Sequence, residues 1–117
     1  MKVYHRTTLR AAKSILKSGF KDGEGYYLTT RLFSGVWVSD YPLGAEEGDK
    51  SEALLQIDLN TEKCNISEFE WIEEGKPYRE WLIPAKVLNE LGTPREICEE
   101  EESKILRTEF LDSVENS

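Results

Sequence analysis

Histidine, cysteine and long apolar runs are scarce in this chain of 117 residues, which holds one histidine and two cysteines. No apolar run approaches the roughly 18 residues that a membrane-spanning helix needs. The chain opens directly on a strand-like segment, without the basic and then apolar stretch of a secretory signal, so we expect a cytoplasmic protein. Cys64 and Cys98 are far apart in sequence and are expected to be reduced. With one histidine and no Cys-x-x-Cys pair, no metal site is predicted.

Positive charge is also in short supply. The chain has 15 lysines and arginines against 23 acidic residues, a net charge of −8. Residues 99–117 alone carry seven acids and two basic residues, so much of the negative charge is local. Contacts from basic residues to phosphates dominate nucleic-acid affinity, and this composition offers no basic stripe. Stable binding to DNA or RNA is therefore not expected, and neither is a membrane partner.

The apolar residues that are present follow the periods of helices and strands. Residues 1–6 are typical of a short strand, and "TLRAAKSILKSGF" then predicts a helix that Thr7 or Thr8 caps and Gly19 ends. Further strands are predicted at "YYLTT", "GVWVSD", "ALLQIDL", "ISEFEWIEEG" and "YREWLIPA". One early helix followed by many short strands indicates an α+β fold with a largely antiparallel sheet.

Two helical segments are predicted near the C-terminal end. Pro84 opens a short helix over "AKVLNELG", which Gly92 ends. The acidic residues 99–117 contain apolar side chains at near-helical spacing. We therefore expect a single α+β domain over residues 1–98, followed by an acidic C-terminal segment over residues 99–117 that docks as a helix.

Three short segments contain the candidate functional residues: "VYHRTT" with His5, "SGVWVSD" with Trp37 and Ser39, and "KPYREWLIPA" with Glu80. Each has a purely structural interpretation. A lone histidine at a strand end is more often structural than functional, a strand tryptophan more often belongs to the core, and Ser39 has the place of an ordinary strand-end hydroxyl.

Glu80 lies inside a predicted strand, between Tyr78 and the bulky apolar run that begins at Trp81. Such a carboxylate has two uses. It can pair with a nearby cation such as Lys76 or Arg79, which is structural, or it can hold a sugar hydroxyl and stabilise positive charge that develops in a transition state.

Taken in their order along the chain, these segments resemble the ADP-ribosyltransferase superfamily, which is marked by a first-strand His or Arg, a second-strand aromatic or Ser, and a late-strand Glu. The resemblance spans residues 2–85. It implies a compact single domain with a split, mostly antiparallel β core that clasps NAD, one early helix and short C-terminal helices. It also implies that Glu80 is catalytic, and that the NAD-binding residues are His5, Arg6, Thr7, Tyr27, Trp37 and Ser39.

The resemblance implies a mechanism as well, with NAD as the substrate and no metal. Glu80 would hold the ribose 2′-hydroxyl and face the oxocarbenium-like cation that develops as the nicotinamide–ribose bond breaks. His5 would bond the adenosine-side ribose and Arg6 the pyrophosphate. The nicotinamide ring would stack on Tyr26, Tyr27 or Trp37.

Several residues depart from the family pattern. Arg6 stands where the family often has Gly after the His, and Trp37 replaces the commoner Tyr. Tyr78 stands two residues before Glu80, where members that modify arginine carry a second Glu. Arginine is therefore not the expected acceptor, and the acceptor stays open, with a protein as one candidate. A non-catalytic module that binds a nucleotide or a protein on the same fold is one alternative. The RNA 2′-phosphotransferase branch is a second, and Arg6, Arg10 and Arg31 are its only early basic candidates.

Overall fold

The computed structural model of the chain describes residues 1–26, 32–42 and 52–115. It has the predicted α+β class. Seven strands and three α-helices follow one another along these residues: β1 (Lys2–Thr8), α1 (Leu9–Ser18), β2 (Gly23–Tyr26), β3 (Leu32–Ser39), β4 (Glu52–Asp58), β5 (Glu70–Trp71), β6 (Glu80–Ile83), α2 (Ala85–Leu91), β7 (Pro94–Ile97) and α3 (Glu99–Glu115). Six strands form one sheet in the order β5-β6-β3-β1-β4-β7, and β2 pairs with β3. Every strand pair is antiparallel.

The two faces of the sheet are told apart by register, because residues paired across antiparallel strands point to the same side. His5 pairs with Leu55, and Val38 with Trp81. We call this side the core face. Its side chains join Ala12 of α1 and Leu88, Leu91 and Ala85 of α2 in the main hydrophobic core.

The opposite side, here the outer face, bears Tyr4, which pairs with both Gln56 and Ser39. α3 covers part of it, since Ile105 packs against Tyr4, Leu54 and Ile97. β4 is therefore buried on both sides, from Ala53 to Ile57. In the ranges that the structure describes, no helix is long and apolar enough to cross a membrane.

The ends of α1 and α2 follow from the residues that flank them. Thr8 is the capping residue of α1, and its hydroxyl accepts the main-chain N–H of Ala11 at 3.1 Å. Gly19 ends α1 with φ +88°, a conformation that a residue with a Cβ avoids. Pro84 and Gly92 flank α2, as the sequence predicts.

Three segments differ from the sequence-based expectation. "KDGEG", residues 21–25, is typical of a turn-rich link, but β2 begins within it and occupies Gly23–Tyr26. Residues 27–30 of the predicted "YYLTT" strand lie outside the described residues. "ISEFEWIEEG" forms a 3-10 turn over Ile66–Phe69 and only a two-residue strand, because the Asn65 side chain accepts the N–H of Ser67 and starts the turn. β7 was not predicted. It is a four-residue edge strand that begins at a proline, and it is recognisable mainly by its pairing with β4.

β1 and β3 separate almost as soon as they pair. Within these two strands the register holds one pair, Tyr4 with Ser39, whereas β1 and β4 pair at seven consecutive positions. The first half of β3 pairs with β2 instead, up to Gly35. We call the gap between β1 and β3 the split.

Candidate functional site

A cleft of about 340 Å³ opens at the split. Its walls come from β1, from α1 and the loop that follows it, and from β3. The lining residues of polar or aromatic type are His5, Thr7, Ser14, Phe20, Lys21 and Trp37. The rest of the lining is aliphatic or glycine, so the cleft combines apolar walls with a few polar groups, as small-molecule sites commonly do.

His5 bridges the split. Its Nδ1 lies 2.7 Å from the main-chain oxygen of Trp37. A carbonyl oxygen only accepts hydrogen bonds, so Nδ1 carries the proton and Nε2 of the neutral ring is left as an acceptor. Burial lowers the pKa of His5, and the bond to the Trp37 carbonyl offsets only part of that effect. The ring at the cleft is therefore neutral near pH 7.

Phe20 is held in place from α2. Its ring meets the ring of His5 edge-on, with centroids 5.7 Å apart. The side chain of Asn89 accepts the N–H of Phe20 at 2.8 Å and donates to the Phe20 carbonyl at 3.0 Å. Two residues along, the carboxylate of Asp22 accepts the N–H of Ala85 at 2.7 Å. These bonds tie the loop that walls the cleft to the start and the middle of α2.

Glu80 lies on the outer face, across from Ser39 on β3 and from Trp71 on β5. Its Oε2 forms an ion pair with Nζ of Lys76, and Glu73 Oε2 lies 3.5 Å from the same Nζ. Burial alone would lower the pKa of Lys76, but the hydrogen bond and the charges of Glu80 and Glu73 together raise it. Lys76 is thus protonated and pairs with Glu80. Pairing with a nearby cation is the structural one of the two uses that the sequence allows for this carboxylate.

The outer face beside Glu80 is aromatic. The rings of Trp37 and Trp71 meet edge-on, with centroids 5.6 Å apart. Ser39 is buried, and its hydroxyl donates to the carbonyl of Tyr41 at 2.7 Å. Trp37 therefore borders two regions: it lines the cleft, and its ring packs among the aromatic residues next to Glu80.

Arg6 is directed to α3. Its guanidinium forms an ion pair with Oε1 of Glu102, and both side chains are largely buried. Tyr27 lies outside the described residues. The predicted site residues thus fall into three places: His5, Thr7 and Trp37 at the cleft, Ser39 and Glu80 on the outer face beyond Trp37, and Arg6 at the contact with α3.

Several residues of the site were not singled out from the sequence. Phe20 and Lys21 directly follow Gly19, which ends α1. Their position just after a helix end is the one feature of the sequence that could have marked them as site residues. Asn89 comes from a helix 69 residues further along, and its spacing carries no sign of this role. Lys76, by contrast, was already a candidate partner of Glu80, because it lies four residues before it.

The residues of the cleft are suited above all to binding a ligand. An apolar wall with an aromatic ring suits a flat ligand ring, the neutral imidazole can accept from a hydroxyl, and Lys21 can meet a phosphate. In the part of the chain that the structure describes, no group of three or more His, Cys, Asp or Glu side chains could hold a metal ion.

Comparisons with protein-family models, with curated proteins and with solved structures find no match.

Proposed function

We propose that the protein binds NAD at the split and cleaves its nicotinamide–ribose bond, as an ADP-ribosyltransferase or an NAD glycohydrolase. The observation that carries this proposal is the hydrogen bond from His5 to the Trp37 carbonyl. His5 is the residue to which the resemblance to the ADP-ribosyltransferase superfamily assigns nucleotide binding, and this bond leaves its Nε2 to accept from a ribose hydroxyl. A cytoplasmic location belongs to the same proposal and agrees with the free thiols of Cys64 and Cys98.

NAD is long enough to use both faces of the sheet. In the proposed complex, the adenosine half lies in the cleft, with a ring beside Phe20 and a ribose hydroxyl on His5, and Lys21 meets the pyrophosphate. The nicotinamide half passes the split along Trp37 towards the outer face. There Trp37 and Trp71, whose rings meet edge-on, offer a ring face to a cationic ring.

Glu80 performs the chemistry in this proposal. The bond between the nicotinamide nitrogen and ribose C1′ breaks, its electron pair leaves with nicotinamide, and positive charge develops on the ribose. Lys76 contacts Oε2 of Glu80, so Oε1 is the oxygen that holds the 2′-hydroxyl and faces that charge. Water, or the hydroxyl or amine of an acceptor, then bonds to C1′ and releases its proton to solvent, whereas an acceptor carboxylate bonds to C1′ with no proton to release.

The test is nicotinamide release from NAD by the purified protein. Glu80→Gln should reduce the rate at least tenfold, because the charge that faces the cation is lost. Lys76→Gln is the matched control, since it removes the same ion pair from the other side and keeps the carboxylate. It should retain release well above that of Glu80→Gln. Glu90→Gln, on the exposed part of α2, should match the wild type.

Equal loss of rate in Glu80→Gln and Lys76→Gln would assign Glu80 to structure alone. No release by the wild type, together with no rise in melting temperature when NAD is added, would discard the NAD site.

A second candidate function is a module that binds a nucleotide or a protein without turnover. The observation in its favour is that two of the predicted site charges already have partners, Glu80 with Lys76 and Arg6 with Glu102. Calorimetry separates the two functions. Saturable NAD binding without nicotinamide release supports the module, whereas release supports the enzyme.

A further inference from the structure

A second pocket, of about 420 Å³, lies away from the split. Among its lining residues are Thr61, Asn65 and Ser67 from the segment before β5, together with Arg79 and Trp81 at β6. None of the proposed NAD-binding residues lines it. The residues that do line it have no role in the proposed function.

Trp81 is the unusual residue of this pocket. The side chain is 1% exposed, and its indole N–H is buried with no hydrogen-bond partner among the described residues. Buried polar groups are nearly always bonded, and an unpaired donor costs roughly 1–3 kcal/mol. An acceptor that reached this N–H from the pocket would recover that energy.

The other polar groups of the pocket are mostly donors. The Asn65 carboxamide uses its oxygen for the N–H of Ser67 at 3.0 Å, which leaves its NH₂ to donate. Thr61 and Ser67 carry hydroxyls, and Arg79 lies over the Trp81 ring at 5.0 Å. Glu70 takes two of the five N–H groups of Arg79. The remaining donors are suited to a ligand rich in acceptor oxygens.

We propose that this pocket binds an oxyanion group, carried by a carboxylate or a phosphate, with Asn65, Arg79 and Trp81 as its donors. No carboxylate side chain lines the pocket in the described part of the chain, although the Glu70 carboxylate lies 2.6 Å from Nη2 of Arg79 and offsets part of that positive charge. The chain as a whole carries −8 and repels anions in general. Saturable anion binding would therefore report a local site.

The experiment follows the indole N–H signals of the ¹⁵N-labelled full chain, which has three tryptophans. Trp81→Phe assigns its signal by removing it. Sodium acetate and sodium phosphate are titrated separately at constant pH, with sodium chloride holding the ionic strength. The Trp81 signal should shift saturably while those of Trp37 and Trp71 stay nearly fixed. Whichever of acetate and phosphate saturates at the lower concentration identifies the source of the oxyanion.

Two variants test the donors. Asn65→Ala and Arg79→Gln should each weaken the binding about fivefold, the equivalent of one hydrogen bond. Both should leave the response to NAD unchanged, so failure of this proposal is distinguishable from failure of the proposed function. If Trp81→Phe does not fold, the assignment is made instead from the two variants, which perturb the nearest indole signal.

Two results would overturn the proposal. One is a Trp81 signal that moves linearly and no further than the other two, which is a bulk effect of salt. The other is a Trp81 N–H signal that receives magnetisation from a bound water and does not shift with either anion. The pocket would then hold water alone.

Discussion

The ring of His5 and the main-chain oxygen of Trp37 are joined by a hydrogen bond of 2.7 Å that crosses the split in the sheet. In a continuous ladder that oxygen would face a main-chain N–H of the neighbouring strand. Here a side chain takes the place of the backbone donor. The strands can therefore stay apart at the cleft without leaving a buried carbonyl unpaired.

The first prediction concerns the pH dependence of stability. Burial lowers the pKa of His5 below its usual value of 6.5 in the folded protein. The unfolded chain then binds this proton at a higher pH than the folded protein does, so the free energy of unfolding should fall as the pH drops through 6.5. Urea denaturation at pH 7.5 and pH 5.5 measures the difference. This window lies above the usual 4.5 of Glu70 and Glu101, whose pKa values are lowered by their arginine partners.

His5→Asn is the matched variant for this measurement, because its amide can still donate to the Trp37 carbonyl but does not titrate. It should lose much less stability between the two pH values than the wild type. The same loss in both proteins would contradict a lowered His5 pKa. Since the chain has one histidine, its ring signals in an NMR titration give the pKa directly.

The second prediction concerns Asn89, which holds the main chain of Phe20 through two hydrogen bonds. Asn89→Ala should lower the free energy of unfolding by about 1–3 kcal/mol, because two main-chain groups lose their partner. Asn89→Asp keeps the acceptor for the Phe20 N–H and should lose less. The His5 ring signals should shift in Asn89→Ala, since the Phe20 ring against them is released.

Glu90→Gln, at the next position of α2, is the control for Asn89 and should leave both the stability and the His5 signals unchanged. If Asn89→Ala unfolds at the wild-type urea concentration, the bonds to Phe20 do not hold the wall of the cleft.

The elements that the sequence predicted well are those whose residue pattern reflects a single buried face. In β6, the alternation along "YREWLIPA" predicts Trp81 and Ile83 on the side opposite Glu80 and Leu82, and both are fully buried in the core. Thr8, Gly19, Pro84 and Gly92 mark helix ends through local chemistry that needs no tertiary contact. Such features depend on neighbours in sequence, which is why reasoning from the chain alone reaches them.

The rest of the site depends on contacts between distant residues. Arg6 was expected at a pyrophosphate, but its charge faces Glu102, which lies 96 residues away. The alternating pattern of "ALLQIDL" predicts one buried and one exposed face for β4, yet its interior is buried throughout because α3 covers the second face. No spacing rule in the sequence identifies which helix covers which face.

The third prediction concerns the ion pair of Arg6 and Glu102, whose side chains are 17% and 12% exposed. Glu102→Gln should lower the free energy of unfolding by about 1–3 kcal/mol, because a largely buried guanidinium loses its carboxylate. Glu100→Gln is the control on the same helix. Its pair with Lys104 is 82% and 73% exposed, and its loss should cost less than about 0.5 kcal/mol.

Thermal or urea denaturation of both variants measures this difference. Equal stability of Glu102→Gln and Glu100→Gln would show that the contact between α3 and β1 rests on Ile105 and its apolar neighbours rather than on the charges.

The last prediction concerns Gly35, where β3 enters the cleft. Its φ is +148°, and a Cβ built there would lie 3.1 Å from the Ile83 carbonyl oxygen and 3.1 Å from the Leu82 side chain. Gly35→Ala should therefore both strain the backbone and push β3 away from β6, with a loss of about 2–4 kcal/mol. Gly75→Ala is the matched control, since Gly75 has φ +85° and open space around it. It should lose only about 1 kcal/mol, the cost of the backbone conformation.

Since Gly35 also lines the cleft, Gly35→Ala should weaken NAD binding measured by calorimetry, whereas Gly75→Ala should not. Equal stability losses in the two variants would mean that β3 adjusts freely, and that the spacing between β3 and β6 does not set the width of the cleft.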